Sequence, residues 1–120
     1  MPRLGELEAA VMEVLWSAGT GLTVREVRDR LPPRHQSAYT TVMTVLVNLL
    51  HKSVVEREAA GRAYRYRAAL SREGVVAASL REILNASDDP RSVLLHFAET
   101  VSEEESTVLR HGLARRTPPS

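Results

Sequence analysis

Apolar residues recur at steps of three and four over the first fifty positions, alternate over a short middle stretch, then return to helical spacing. Leu4, Leu7, Val11, Val14 and Leu15, flanked by Ala10 and Trp16, form one stripe and predict a helix over 5–17. Glu6 and Glu8 stand in its first turn, where the helix dipole favours acids, and Trp16 at the end of the stripe reads as core. Thr23 and Glu26 have capping-box spacing and open a second helix with Val24, Val27 and Leu31 inward. Pro32-Pro33 stops it. Ser37 is the expected N-cap of a third helix reaching Lys52.

That third helix has two dissimilar faces. Val42, Val45, Leu46 and Leu49 make the apolar one. Thr40, Thr44, Val47, Asn48 and His51 make the other, which holds hydroxyls, an amide, an imidazole and a branched aliphatic, but no carboxylate. Such a face suits the major groove of DNA. Base edges ask for short donors and acceptors, thymine offers a methyl, and phosphates repel acids.

After Lys52 the period changes to two. Residues 55–58 and 64–67 predict two strands, with 59–63 as hairpin tip and Gly61 supplying the turn geometry. Tyr64 and Tyr66 share one face, Arg65 and Arg67 the other, and Leu22-Thr23 is placed to pair as a third short strand. Three helices followed by a hairpin make a winged helix-turn-helix.

Residues 71–116 are helical throughout. Val76, Leu80, Ile83 and Leu84 stripe a helix capped by Ser71. Asp89 and Pro90 restart the chain for a helix with Val93, Leu94, Phe97 and Val101. Ser102 and Glu105 form another capping box ahead of Val108, Leu109 and Leu113. Short helices of this size bury such stripes poorly alone, so a two-fold homodimer is expected, with a compact monomeric lobe as the alternative. The expected architecture is mainly α with a small β wing. It comprises a DNA-binding winged helix-turn-helix over 1–70, a helical dimerisation region over 71–116 and a flexible tail over 117–120.

Charge sharpens this picture. The overall net charge is +1, but 1–70 carry ten basic and seven acidic residues, and 71–120 carry six and eight. Within 34–67 the count is six to two. Cations therefore gather on the third helix and hairpin, as a nucleic-acid footprint requires. The chain has no cysteine, which removes disulfides, zinc-thiolate sites and thiol catalysis. His35, His51, His96 and His111 have no metal-ligand spacing, and no Gly-rich phosphate loop occurs. Asp88-Asp89 and Glu103-Glu104-Glu105 sit at helix starts, where capping accounts for them. No enzyme and no cofactor is expected. The amino terminus lacks a signal-peptide pattern and no apolar run spans a bilayer, so a cytoplasmic protein without membrane attachment is the expectation.

Roles at DNA follow from position. Thr40, Thr41 and Thr44 lie in the first turns of the third helix, near base edges and phosphates; Tyr39 can give its hydroxyl to a phosphate. Asn48 is suited to adenine and Val47 to a thymine methyl, with His51 on the same face. Lys52, Arg62, Arg65 and Arg67 are phosphate cations, Arg62 at the wing tip foremost. A winged helix serving as a protein-interaction module, its third helix packed on a partner, is the competing reading.

Several segments also resemble the penicillinase-repressor family of bacterial transcription regulators (BlaI/MecI type, with a copper-responsive CopY branch). They are Leu7-Glu8, Val11-Met12, Leu15-Trp16, the run from Thr23 to Val27, the run from Ala38 to Leu46, and Tyr64-Arg65-Tyr66. The resemblance covers nearly the whole chain and weakens after Ser71. It implies a homodimer on a palindromic double-stranded DNA operator, repressing a resistance operon of β-lactam type. It also implies induction through a sensor-activated protease that cuts the repressor at an Asn-Phe bond in its dimerisation region. The matching positions here are His96-Phe97. Asn48 stands where the family usually has Arg, and Ser53 where it usually has Gly. Without cysteine the chain lacks the copper branch's C-terminal pairs.

Overall fold

The computed structural model describes residues 4–116. The expected tail at 117–120 lies outside the described residues. Helix α1 spans Glu6–Ala18, α2 Val24–Arg30 and α3 Tyr39–His51. Strands β1 (Val55–Ala60) and β2 (Ala63–Ala68) follow, then α4 (Arg72–Asn85), α5 (Pro90–Thr100) and α6 (Glu103–Arg115).

Local chemistry sets most boundaries as the sequence predicts. Thr23 accepts from the Glu26 amide at 3.2 Å while the Glu26 carboxylate accepts from the Thr23 amide at 2.9 Å. Ser102 and Glu105 repeat the exchange at α6, and Asp89 accepts from the Ser92 amide at α5. Ser71 caps α4 through the Gly74 amide. One cap differs. Ala38, not Ser37, is the N-cap of α3, because the Ser37 hydroxyl donates to the His35 carbonyl and closes the short 3₁₀ turn at Pro33–His35.

The hairpin is longer and its turn tighter than alternation suggested. Ala60 pairs with Ala63, leaving a two-residue turn of Gly61 and Arg62. Gly61 has φ 66°, as the first turn position of a II′-type hairpin needs. Leu22 bridges antiparallel to Tyr66, with bonds of 2.9 and 2.7 Å in the two directions, so the Leu22 segment does join the wing. The arrangement is a winged helix-turn-helix, mainly α with a small sheet.

The core of this unit gathers Val11, Met12 and Leu15 of α1, Val27 of α2, and Val42, Leu46 and Leu49 of α3. Leu22, Val54, Val55 and Tyr66 close it from the wing side. Truncating any one of these leucines to Ala costs roughly 2–5 kcal/mol. Trp16 packs against the cluster and donates its indole N–H to the Leu70 carbonyl at 2.8 Å, while the Arg72 guanidinium lies over its ring. Contacts run past residue 70 because Val75 of α4 is also buried in this core; the first compact unit ends at Glu82 and the second begins at Ile83.

The second unit is different in kind. Neither α5 nor α6 has a buried residue. Ile83, Leu94, Phe97, Leu109 and Leu113 are all exposed, as is Leu95, which the helical stripe had not included. In α4, Val76 and Leu80 are exposed and Leu84 is half-buried.

Candidate nucleic-acid interface

Helix α3 is held from both ends of its apolar stripe. Val42, Leu46 and Leu49 are fully buried, so the opposite face turns outward. Thr40, Thr41, Thr44, Asn48 and His51 are exposed on it, and Val47 is half-buried. Thr44 donates its hydroxyl to the Thr40 carbonyl at 3.0 Å, which leaves oxygen lone pairs free to accept from a base or a water. No acid occurs anywhere in α3.

The helix leaves through a left-handed residue. Ser53 has φ 63°; its amide bonds to the Leu50 carbonyl at 3.0 Å and the Val54 amide to the Leu49 carbonyl at 3.2 Å. These two bonds define a Schellman motif, and Val54 and Leu49, the two positions whose apolar contact commonly accompanies it, are both buried in the core. The motif turns the chain from α3 straight into β1 and so fixes the wing beside the helix.

The structure divides the predicted cations. Lys52 is bidentate to Glu8 of α1, 2.8 Å to each oxygen, and both side chains are largely buried. Burial alone would raise the Glu8 pKa, but the hydrogen bonds from Lys52 and the Gly5 amide, with the lysine charge, bring it below the ordinary value. Lys52 therefore ties the end of α3 to the start of α1. Arg65 reaches back to the Gly21 carbonyl at 3.2 Å and to Glu26 at 3.1 Å, and the capping-box glutamate so also anchors the wing. Glu26 is lowered by the Thr23 amide first and by Arg65 further down. Arg67 bonds Glu56 at 2.7 Å and Glu58 at 3.4 Å, which raises its pKa. Arg62, at the turn, makes no ion pair among the described residues and is exposed.

Between α3 and the wing lies an open cleft. Tyr39 and Met43 line it from α3, Arg62 and Tyr64 from the wing, and Thr23 and Arg25 from the start of α2. Arg25 had drawn no role from the sequence, since only the fold brings α2 to the hairpin. On the wing, the Arg57 guanidinium stacks on the Tyr64 ring at 4.0 Å and donates to the Tyr66 hydroxyl at 3.2 Å, so it bridges the two tyrosines.

A protein-family model described as Penicillinase repressor matches residues 4–115. The chain belongs to the penicillinase repressor family. Two curated relatives, each a Transcriptional regulator BlaI, come from Mycobacterium tuberculosis strains CDC 1551 / Oshkosh and ATCC 25618 / H37Rv. Each is 42% identical over 117 residues, covering 95% of this chain and 85% of the relative. Among solved structures, the DNA-binding domain of the repressor BlaI superposes with TM-score 0.53 at 23% identity, over 61% of this chain and 88% of that one. A point mutant of Staphylococcus aureus MepR bound to an oligodeoxyribonucleotide gives 0.53 at 20% identity, over 93% and 76%. At these identities the solved structures show a common winged-helix fold. Family and curated relatives place this penicillinase-repressor member among regulators of transcription and not among enzymes. No helix among the described residues is long and apolar enough to cross a membrane.

Proposed function

We propose that the chain is a DNA-binding repressor that acts as a homodimer on a palindromic operator. The observation that carries this is the outward face of α3: exposed Thr40, Thr41, Thr44, Asn48 and His51 without an acid, next to a wing tip bearing Arg62, which has no ion pair among the described residues. In this reading α3 enters the major groove. The threonines and Asn48 meet base edges, Val47 meets a thymine methyl, and Tyr39 and Arg62 take phosphates. Lys52 and Arg65 hold the helix and wing in place.

The domain roles follow the same division. Residues up to about 70 read DNA, and those beyond supply dimerisation. Exposed Val76, Leu80, Ile83, Leu94, Phe97, Leu109 and Leu113, with half-buried Leu84, are apolar surface that a second copy would cover. Its operon is of the resistance type, as in β-lactam systems, and repression ends when the dimerisation region is disrupted or cut. His96 and Phe97 are the matched cleavage positions. Both are exposed, but they lie inside α5, where His96 Nδ1 is 2.8 Å from the Ser92 carbonyl. A sensor-activated protease would have to unwind that turn first.

The test is a duplex selected from a random pool, titrated with salt. Affinity is expected to fall steeply as salt rises. Asn48→Ala is expected to lower the specific-over-nonspecific ratio by about 1–3 kcal/mol. A flat salt response would instead favour a protein-interaction module.

A further inference from the structure

Among the described residues, Tyr39, Met43 and Tyr64 are the exposed large apolar side chains of the first compact unit before α4, and all three line one cleft. The cleft lies between α3, the start of α2 and the wing. Scattered apolar exposure needs no explanation, but three such side chains converging on one depression do. Arg25 and Arg62 also line the cleft, no carboxylate does, and neither arginine has an ion pair among the described residues. This contrasts with Lys52, Arg65 and Arg67, each held by a glutamate. The Tyr39 and Tyr64 hydroxyls have no hydrogen-bond partner among the described residues, and the Arg57 guanidinium stacks on the Tyr64 ring. The cleft therefore offers cations, hydroxyl donors and apolar walls together, on the flank of the reading face.

We propose that this cleft seats the sugar–phosphate backbone of one DNA strand, with Arg25 of α2 as a phosphate contact opposite Arg62. The inference rests on the reading that α3 enters the major groove, and adds a scaffold-helix residue and a wing tyrosine to the interface. Charge complementarity selects the occupant. A backbone strand presents anionic oxygens in series, which two arginines and two hydroxyls match. It also presents deoxyribose carbons, which Met43 and the tyrosine rings can cover. Arg25 and Arg62 grip the strand from opposite elements, so the seat fixes how deeply α3 enters the groove without reading sequence.

The experiment measures binding of the full chain to a labelled duplex of about 30 base pairs, between about 50 and 200 mM salt. A single phosphate contact accounts for about a 3.5-fold loss of affinity across that range, from a slope of about −0.9 per contact. Arg25→Ala removes one such contact from each half of the dimer and is expected to lose that factor twice, about 12-fold, from the salt response on every duplex alike. Arg25→Lys is expected to keep it, since charge and not fork geometry is required. Arg30→Ala, at the far end of the same helix and outside the cleft, is expected to retain the wild-type slope. Tyr64→Phe is expected to weaken binding several-fold with the slope intact. Equal slope changes for Arg25→Ala and Arg30→Ala would overturn the proposal, since diffuse charge would then suffice. So would an unchanged slope for Arg25→Ala while the wild type stays salt-sensitive. A wild type with no salt response overturns the DNA reading itself, and the seat with it.

Discussion

Substituting Ser53 with glycine tests whether the exit of α3 is under backbone strain. Ser53 sits at φ 63°, where an L-residue's Cβ crowds its own carbonyl at a cost of about 1–2 kcal/mol. Glycine removes that crowding but brings a more flexible unfolded chain, which offsets about 0.5–1 kcal/mol. The Ser53 side chain is exposed and makes no hydrogen bond among the described residues, so the substitution removes no contact. The backbone bonds from Ser53 to Leu50 and from Val54 to Leu49 are available to either residue. The net expectation is a stabilisation of about 0.5–1 kcal/mol. For a unit of this size that is a rise of a few degrees in Tm, at about 4–8 °C per kcal/mol. Equilibrium urea denaturation at fixed protein concentration, with a thermal scan alongside, reads it directly. Ser53→Val serves as the opposite arm, because a β-branched residue tolerates this region least, and it is expected to destabilise. If glycine is neutral or destabilising, or if valine matches serine, the left-handed exit does not govern the stability of this junction.

Glu8→Gln is expected to cost about 1–2 kcal/mol near neutral pH, between an exposed and a fully buried ion pair. Because the folded-state pKa of Glu8 lies below its ordinary value of 4.5, the ion pair's contribution is whole above that pH and is lost as pH falls through the folded value. Stability curves of the two proteins should therefore converge in acid; a gap that persists unchanged there would remove the ion pair as its source. Leu109→Asp is expected to place a charge in the proposed dimer interface at a cost of at least about 3 kcal/mol, a more than 100-fold rise in dimer Kd. Sedimentation equilibrium checks it, and a dimer of unchanged affinity would take Leu109 out of the interface.

Helix and strand positions were legible because burial imposes its period on the chain. The stripe from Val42 to Leu49 and the alternation around Tyr64-Arg65-Tyr66 are the fold written in polarity. Caps at Thr23, Asp89 and Ser102 were legible because capping is local chemistry. Ser37 was not, since its hydroxyl had a second local acceptor in the preceding turn. The ion pairs were out of reach for a different reason. Lys52 meets a glutamate 44 residues away, and Arg65 one 39 residues away; spacing along the chain says nothing about such encounters. A count of positive charge could therefore show that cations gather near α3 but not which are committed to carboxylates. The exposed face of α3 was readable from one helix alone. The cleft beside it, which needs three elements, was not.

Trp16 is the sole indole of the chain, and it stands where the wing ends and α4 begins. Its N–H is bonded to Leu70 and its ring lies under Arg72, so its surroundings depend on that joint staying closed. The protein thus carries a native fluorophore at the joint between wing and α4. A shift in emission wavelength, or a change in quenching by iodide, would report the opening of this joint in real time. Recorded as DNA is added, the signal would show whether binding is felt at the root of α4.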